Sequence, residues 1–283
     1  MVQKPIELIL LRQLATRLAM PVLIVDTRGT LVFRNPRAEE FLGVQPGELP
    51  DEMPLHEIAA EFRPTDADGR PVPGDEIPVL MALRRHRPTQ VSMFVHDRAG
   101  TPHRITSTAF PLEGQGGVPL GAMSFFWETG VPDAAAPGPD AGRTTSREPD
   151  SERLAVRAPP VEMMLLRQVA SYLAMPILVV DADGELVYYN EPADALLGRR
   201  YEETGPMPLE VWGAMFKPTD SDGQPLPAEH LPLAIAVQRR HPTQRSFWIL
   251  GLDGVTRRLV VSAIPLNDPD ERPLGAVAVF WEA

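Results

Sequence analysis

The side chains that could carry out chemistry include a short acidic motif, D-A-D-G, which begins at Asp66. Its two aspartates have the spacing of the first half of a calcium-binding loop. Such a loop also needs a glutamate at its twelfth place to complete the oxygen ligands, and here that place is Ile77. A second copy of the motif, from Asp220, has Leu231 at the same place. The motif therefore favours an Asp–Gly turn over a calcium site.

Two histidines, His96 and His103, fall on neighbouring predicted strands, where imidazoles can share a metal ion. No carboxylate stands in register as a third ligand, so the pattern argues against a metal site. The sequence contains no cysteine, which excludes disulfides, thiolate metal ligands and cysteinyl adducts. The stretch G-Q-G-G-V-P-L-G from Gly114 lacks the lysine and the helix of a phosphate loop and predicts a hairpin turn.

No enzymatic activity is expected, because the sequence has no nucleophile elbow, no phosphate loop and no metal-ligand cluster. A net charge of −11 disfavours binding to nucleic acids or anionic membranes. No apolar run approaches the roughly 20 residues that span a bilayer, and the N-terminus lacks a signal-peptide pattern. We therefore expect a soluble, cytoplasmic protein without nucleic-acid or membrane partners.

The elements that would position these side chains occur twice in the chain. The segments L-A-M-P-V-L-I-V-D from Leu18 and L-A-M-P-I-L-V-V-D from Leu173 correspond to each other. In each copy a β-branched apolar run, an Asp–Gly turn and a second apolar run predict two strands joined by a hairpin. The second strand ends at Asn35 or Asn190, which can cap the helix that follows.

The remainder of each unit predicts a helix with basic residues at its end, Arg85 or Arg239, followed by three strands. In the first unit we expect these strands over residues 89–96, 103–111 and 120–127. In the second unit we expect them over residues 243–250, 257–265 and 274–281. Each unit therefore predicts a mixed structure of short helices and antiparallel strands.

Each unit begins with apolar residues at a spacing of four, such as Ile6, Leu10, Leu14 and Leu18. This spacing predicts an amphipathic helix. The helix either folds onto the sheet of its own unit or forms a dimer seam, and the sequence leaves both arrangements open.

Between the units, residues 130–158 are rich in proline and glycine and contain no aromatic residue. Such a segment buries too little apolar surface to offset the entropy of ordering it, so it predicts a flexible tether. We expect a first domain over residues 1–129, a linker over 130–158 and a second domain over 159–283.

Together these motifs resemble the PAS family, and most closely the PAS domains of bacterial sensor kinases and regulatory phosphatases. The resemblance is carried by the strand–turn–strand that ends in asparagine, the D-G-x-P-x-P segment before a helix, and the last strand ending in F-W-E. It covers both units. It implies an α+β fold with two PAS-like domains, each with a five-stranded antiparallel sheet, short helices on one face and an N-terminal flanking helix.

PAS domains sense ligands, light or redox state, or mediate protein association. The resemblance thus implies a signalling protein without its own output domain. It would act as a homodimer or by docking to a signalling partner, through its N-terminal helices and sheet faces, and a small ligand would modulate it. The alternative is a sensor of a small molecule or haem, with an apolar pocket in one or both domains.

The cofactor stays unknown at this point. Flavin photosensors of the family need an adduct-forming cysteine, which this chain lacks. Haem sensors of the family often take a histidine from the longer helix, and only His86, His230 and His241 lie near the predicted helix ends. A solvated imidazole at a helix end explains these positions better.

In the family, the inner face of the sheet and the longer helix enclose a pocket. Strand alternation and helix phase select residues of both units for this face. The candidates are Leu80, Leu83, Ile105, Ser107, Met123, Phe125, Ile235, Val261 and Val277. All of them also suit an ordinary filled core, so a core without a ligand is the competing interpretation.

Overall fold

The structure of the protein is a computed structural model that describes residues 5–129, 160–268 and 270–283. Within these residues the chain forms two α+β units that follow one plan. The predicted linker, residues 130–158, lies outside the described residues.

The first unit contains four α-helices and six strands among its described residues. Its helices are α1 (Ile6–Thr16), α2 (Pro36–Leu42), α3 (Leu55–Phe62) and α4 (Pro78–Arg85). Its strands are β1 (Val22–Val25), β2 (Thr30–Arg34), β3 (Met53–Pro54), β4 (Thr89–His96), β5 (Pro102–Glu113) and β6 (Pro119–Glu128). The predicted elements are present, and the last two strands are longer than expected at both ends.

The second unit repeats this order. Its helices are α5 (Val161–Tyr172), α6 (Glu191–Leu197), α7 (Tyr201–Thr204), α8 (Leu209–Met215) and α9 (Pro232–Arg239). Its strands are β7 (Ile177–Asp181), β8 (Leu186–Tyr189), β9 (Thr243–Leu250), β10 (Thr256–Asn267) and β11 (Pro273–Glu282).

Both sheets are antiparallel, and the first and last strands of each unit meet at the centre. The strand order is β3-β2-β1-β6-β5-β4 in the first sheet and β8-β7-β11-β10-β9 in the second. The predicted fold class is therefore confirmed. The first sheet departs from the expected five strands only by β3, a two-residue strand that pairs with the edge of β2.

One glycine in each last strand is required by the close approach of the central strands. Gly121 has a φ of 140°, and a Cβ atom there would overlap the carbonyl oxygen of Val25 on β1. Gly275 has a φ of 135° and would overlap Val180 on β7 in the same way. Only glycine combines this φ with this contact, so both positions fix how the last strand crosses the first.

The capping asparagine of the first unit does more than cap a helix. Asn35 is fully buried, and its Oδ1 accepts from the backbone N–H groups of Val22 at 2.9 Å and Ala38 at 3.0 Å. Its Nδ2 donates to the carbonyl oxygens of Ala15 at 2.9 Å and Met20 at 2.7 Å. One side chain thus joins α1, β1 and α2, and the equivalent asparagine of the second unit repeats these bonds.

The N-terminal helices α1 and α5 pack against each other and against the outer faces of both sheets, and together they form one apolar core. Arg17, just after α1, donates to Glu162 in the first turn of α5 at 2.9 Å, which places the end of α1 beside the start of α5. The Ala174 N–H donates to the Glu113 carbonyl oxygen at 2.9 Å. The helix therefore packs on the sheet of its own unit, as one of the two predicted arrangements has it, and it also contacts the corresponding helix of the same chain; the dimer seam stays a prediction.

Candidate functional site

The first unit holds a cavity of about 90 Å³ between the inner face of its sheet and helices α3 and α4. The sheet contributes Leu23, Met93, Val95, Ile105, Ser107, Ser124 and Phe126 to its lining. The helical side contributes Leu55, Ile58, Phe62, Ile77 and Val79. We call this space the first cavity.

The second unit holds a cavity of about 60 Å³ at the same place, the second cavity. Its sheet residues are Leu178, Phe247, Ile249, Leu259, Val261, Ala278 and Phe280. Its helical side includes Trp212, Phe216, Leu231 and Leu233. These residues occupy the positions that correspond to the lining of the first cavity in the repeat. Each cavity has room for a few heavy atoms and is smaller than a typical ligand pocket of about 300 to 1,000 Å³.

The two cavities differ in polarity. In the first cavity the hydroxyl oxygens of Ser107 and Ser124 lie 2.8 Å apart and form a buried hydrogen bond across β5 and β6. The corresponding residues of the second cavity are Val261 and Ala278. Trp212 points its polar atom away from this space, since its Nε1 donates to the Gly184 carbonyl oxygen at 3.1 Å. No ionisable side chain among the described residues lines either cavity.

Three of the predicted site residues line these cavities. Ile105 and Ser107 lie on β5 in the first cavity, and Val261 lies on β10 in the second. The structure therefore places these residues on the cavity side of the sheet, and their role as binding residues stays a prediction.

The predictions for the last strand are wrong by one residue. Met123, Phe125 and Val277 belong to the apolar core on the opposite face, against α1 and α5. Ser107 on β5 pairs with Phe126 on β6, and residues directly opposite in a ladder share a face. A shift of one residue moves a side chain to the other face of the sheet, and here both faces are buried, so alternation of apolar and exposed residues along this one strand does not reveal the error.

The helix residues are also displaced. Leu80 and Leu83 of α4 pack at the edge of the core and line an open surface cleft beside the Gly29 turn, and Ile235 does not line the second cavity. Val79 and Leu233, from the first turns of α4 and α9, line the cavities instead. With only eight residues, α4 is no longer than α3, and it is its first turn, with Val79, that lines the cavity.

Sequence reasoning missed the residues of α3 and α8 and the strand residues Ser124, Phe126, Ala278 and Phe280. One signal could have found the two serines. Strand pairs that bury both faces carry few polar side chains, and Ser107 and Ser124 can approach each other only if they share a face.

The histidines lie away from both cavities. His86 ends α4 with its Nδ1 3.7 Å from the carboxylate of Glu113, and His241 packs edge-on against Trp127 across the two units. His96 contacts the Arg63 carbonyl oxygen at 3.2 Å. Among the residues that the structure describes, no group of three or more histidine or acidic side chains could hold a metal ion.

His103 is a titratable group held between two carboxylates. Its Nδ1 lies 3.1 Å from Glu128 on β6, and its Nε2 lies 3.4 Å from Asp97 in the β4–β5 turn. Partial burial disfavours its charge, but the hydrogen bonds to both carboxylates outweigh it and raise the pKa of His103. In the second unit the same position is Arg257, which pairs with Asp253 at 2.6 Å and cannot titrate near neutral pH.

Residues 9–78 match the family model described as "PAS domain". The resemblance to PAS domains is confirmed. The match runs from within α1 to the first residue of α4 and includes α3, which lines the first cavity. No curated protein matches the chain.

Solved structures similar to this chain include further PAS domains. One from Colwellia psychrerythraea is 18% identical, with a TM-score of 0.33, and covers 43% of this chain and 96% of that chain. The PAS domain of BvgS from Bordetella pertussis is 16% identical, with a TM-score of 0.31, and the match covers 44% of this chain and 85% of that chain. An RNA-binding light-oxygen-voltage receptor is 13% identical, with a TM-score of 0.34, and the match covers 93% of this chain and 95% of that chain. In this chain, none of the helices in the described residues is both long and apolar enough to cross a membrane.

Proposed function

We propose that the chain is a PAS-type signalling protein that acts through protein association, with its two units modulated by small apolar molecules in their cavities. In this proposal residues 1–129 and 159–283 are the two domains, joined by the linker. The observation that carries it is the single apolar core shared by α1, α5 and the outer faces of both sheets. A shift of the strands in either sheet would therefore displace side chains of the shared core, which the other unit also contacts.

The N-terminal helices supply the association surface. Leu14 of α1 and Val169 of α5 are buried in the shared core, at corresponding positions of the repeat. The linker holds the units near each other at an effective concentration of the order of millimolar, which favours the seam within a chain over a seam between chains. The signal then reaches a partner through the remaining surface of the units.

The cavities support a second role for the same units, as sensors of small molecules. Both are lined mostly by apolar side chains at corresponding positions, and an apolar cavity of this kind takes up apolar molecules. Haem is not supported, because neither cavity has a histidine in its described lining.

Leu14→Asp tests the association surface by burying a carboxylate in the shared core, which costs several kcal/mol unless the seam opens. The chain of 31.2 kDa is studied by sedimentation velocity and by an amide NMR spectrum that reports whether the units stay folded. The neighbouring exposed residue provides the control Gln13→Asp on the same helix.

If the seam forms within the chain, Leu14→Asp keeps the monomer mass and sediments more slowly, while Gln13→Asp behaves as the unmodified chain. If wild type has twice the chain mass and Leu14→Asp halves it, the seam forms between chains and the protein is a homodimer. Unchanged mass and sedimentation in folded Leu14→Asp would refute the association surface altogether.

A further inference from the structure

The two cavities are lined by residues at corresponding positions of the repeat, but the first contains a pair of hydroxyl groups that the second lacks. Ser107 and Ser124 are 5% and 3% exposed, so neither hydroxyl reaches solvent. Both line the first cavity on its sheet side. In the second cavity the same two places hold Val261 and Ala278, which have no polar side-chain atom.

The serine pair cannot satisfy itself. Each hydroxyl is one donor and can accept, and in the bond at 2.8 Å one hydroxyl donates to the other oxygen. The proton of the accepting hydroxyl is then left over. Within the described residues, the hydrogen bond between the serines is the only one that either side chain makes. A buried donor without an acceptor is unfavourable, so this O–H group favours an acceptor that enters the cavity.

We infer that the first cavity takes a small, mostly apolar molecule with one hydrogen-bond acceptor oxygen, whereas the second takes a wholly apolar molecule. This assignment rests on the proposed function, because it specifies which molecules would occupy the cavities. It follows from one difference between two sites at corresponding positions. The apolar side chains of both cavities favour small apolar molecules, and only the first cavity offers a hydrogen-bond donor, the hydroxyl of a serine.

The repeat lets both cavities be measured in one sample of the full chain. The probes are acetone and isobutene, molecules of four heavy atoms and nearly the same shape that differ by a carbonyl oxygen in place of a methylene carbon. Ile105 lines the first cavity and Ile249 lines the second, so their labelled methyl groups report binding separately by NMR. The affinity ratio of ketone to hydrocarbon in the first cavity is divided by the same ratio in the second. The free energy of moving each probe out of water is the same for both cavities, so it cancels in this quotient.

One net hydrogen bond predicts a quotient of about 3 to 10 in favour of the ketone in the first cavity. The double substitution Ser107→Val with Ser124→Ala, which copies the second cavity, should bring the quotient to about 1. The reciprocal substitution Val261→Ser with Ala278→Ser gives the second cavity a donor, so the affinity ratio in its denominator should rise and the quotient should fall. This variant provides the test if the first variant fails to fold.

The possible results separate this inference from the proposed function. If both probes bind both cavities with a quotient below about 2, the class assignment is wrong, while cavities that take up small molecules still stand. If neither probe shifts either methyl signal up to saturation, both the assignment and the proposed modulation by small apolar molecules are wrong.

Discussion

The buried asparagine at the start of α2 offers the sharpest test of how the N-terminal helix is held. In Asn35→Asp the side chain keeps its size and its capping oxygen, since Asp caps helices as well as Asn. It loses the amide group that donates to Ala15 and Met20 at 2.9 and 2.7 Å. The Met20 carbonyl oxygen then loses its donor, and the Ala15 carbonyl oxygen keeps only a longer bond, at 3.3 Å, from the Leu18 N–H. Both face an oxygen instead.

The expected loss follows from these two bonds. Leaving the Met20 oxygen unsatisfied costs about 1 to 3 kcal/mol and losing one of the bonds to the Ala15 oxygen about 0.5 to 1.5 kcal/mol, so Asn35→Asp should cost about 1.5 to 4.5 kcal/mol. A domain has about 5 to 15 kcal/mol of stability in all, so the effect is large. Because the lost bonds are those to the end of α1 and the segment after it, the amides of α1 should exchange with solvent much faster. The hairpin β1–β2 should lose less protection.

Urea denaturation gives the total loss, and hydrogen exchange followed by NMR locates it. Asn190→Asp is the matched control, because the same substitution in the second unit should shift the loss to α5. A loss below about 1 kcal/mol in Asn35→Asp would refute the reasoning. So would a loss spread evenly over the unit with no excess at α1.

Two further predictions follow from side chains that differ between the units. The pKa of His103 is higher in the folded state than in the unfolded state, where it is about 6.5. Its bonds to Asp97 and Glu128 therefore stabilise the first unit fully when the pH is below the unfolded-state pKa, and this stabilisation is lost as the pH rises through the folded-state pKa. Denaturation between pH 6 and 8 should therefore show a fall in stability that His103→Arg removes. Trp212→Phe should cost about 1 to 3 kcal/mol by thermal denaturation, because it leaves the buried Gly184 carbonyl oxygen without its donor, and an unchanged midpoint would contradict this.

Local signals in the sequence were sufficient for most of the fold. Asn35 and Gly43 begin and end α2 through a side-chain cap and a left-handed residue, and both act within a few residues of chain. The Asp–Gly turn at Asp66 behaves likewise, since its Oδ1 accepts from the Asp68 N–H at 2.8 Å. The second role of Asn35 was not predictable in this way, because its amide bonds join segments up to 20 residues apart.

The candidate site was predicted only in part, because its geometry depends on register. Alternation along β5 placed Ile105 and Ser107 correctly, since the polar Arg104 on the other side fixes the phase. Along β6 both faces are buried, one in the cavity and one in the shared core, and the pattern of polarity gives no phase. The contribution of α3 was missed because a helix of one or two turns has too few residues for its apolar side to indicate which layer it covers.

The residues that were wrongly assigned to the cavity explain how a cavity could influence the seam. On β6, Ser124 faces the first cavity, while its neighbours Met123 and Phe125 face the shared core with α1 and α5. A molecule that moves β6 at Ser124 therefore moves side chains packed against the other unit, since interiors are too dense to absorb such shifts locally. In the second unit β11 has the same arrangement, with Ala278 between Val277 and Val279. Under the proposed function, two cavities of different polarity would act on one core from opposite sides, and the packing of α1 against α5 would report which of them is occupied.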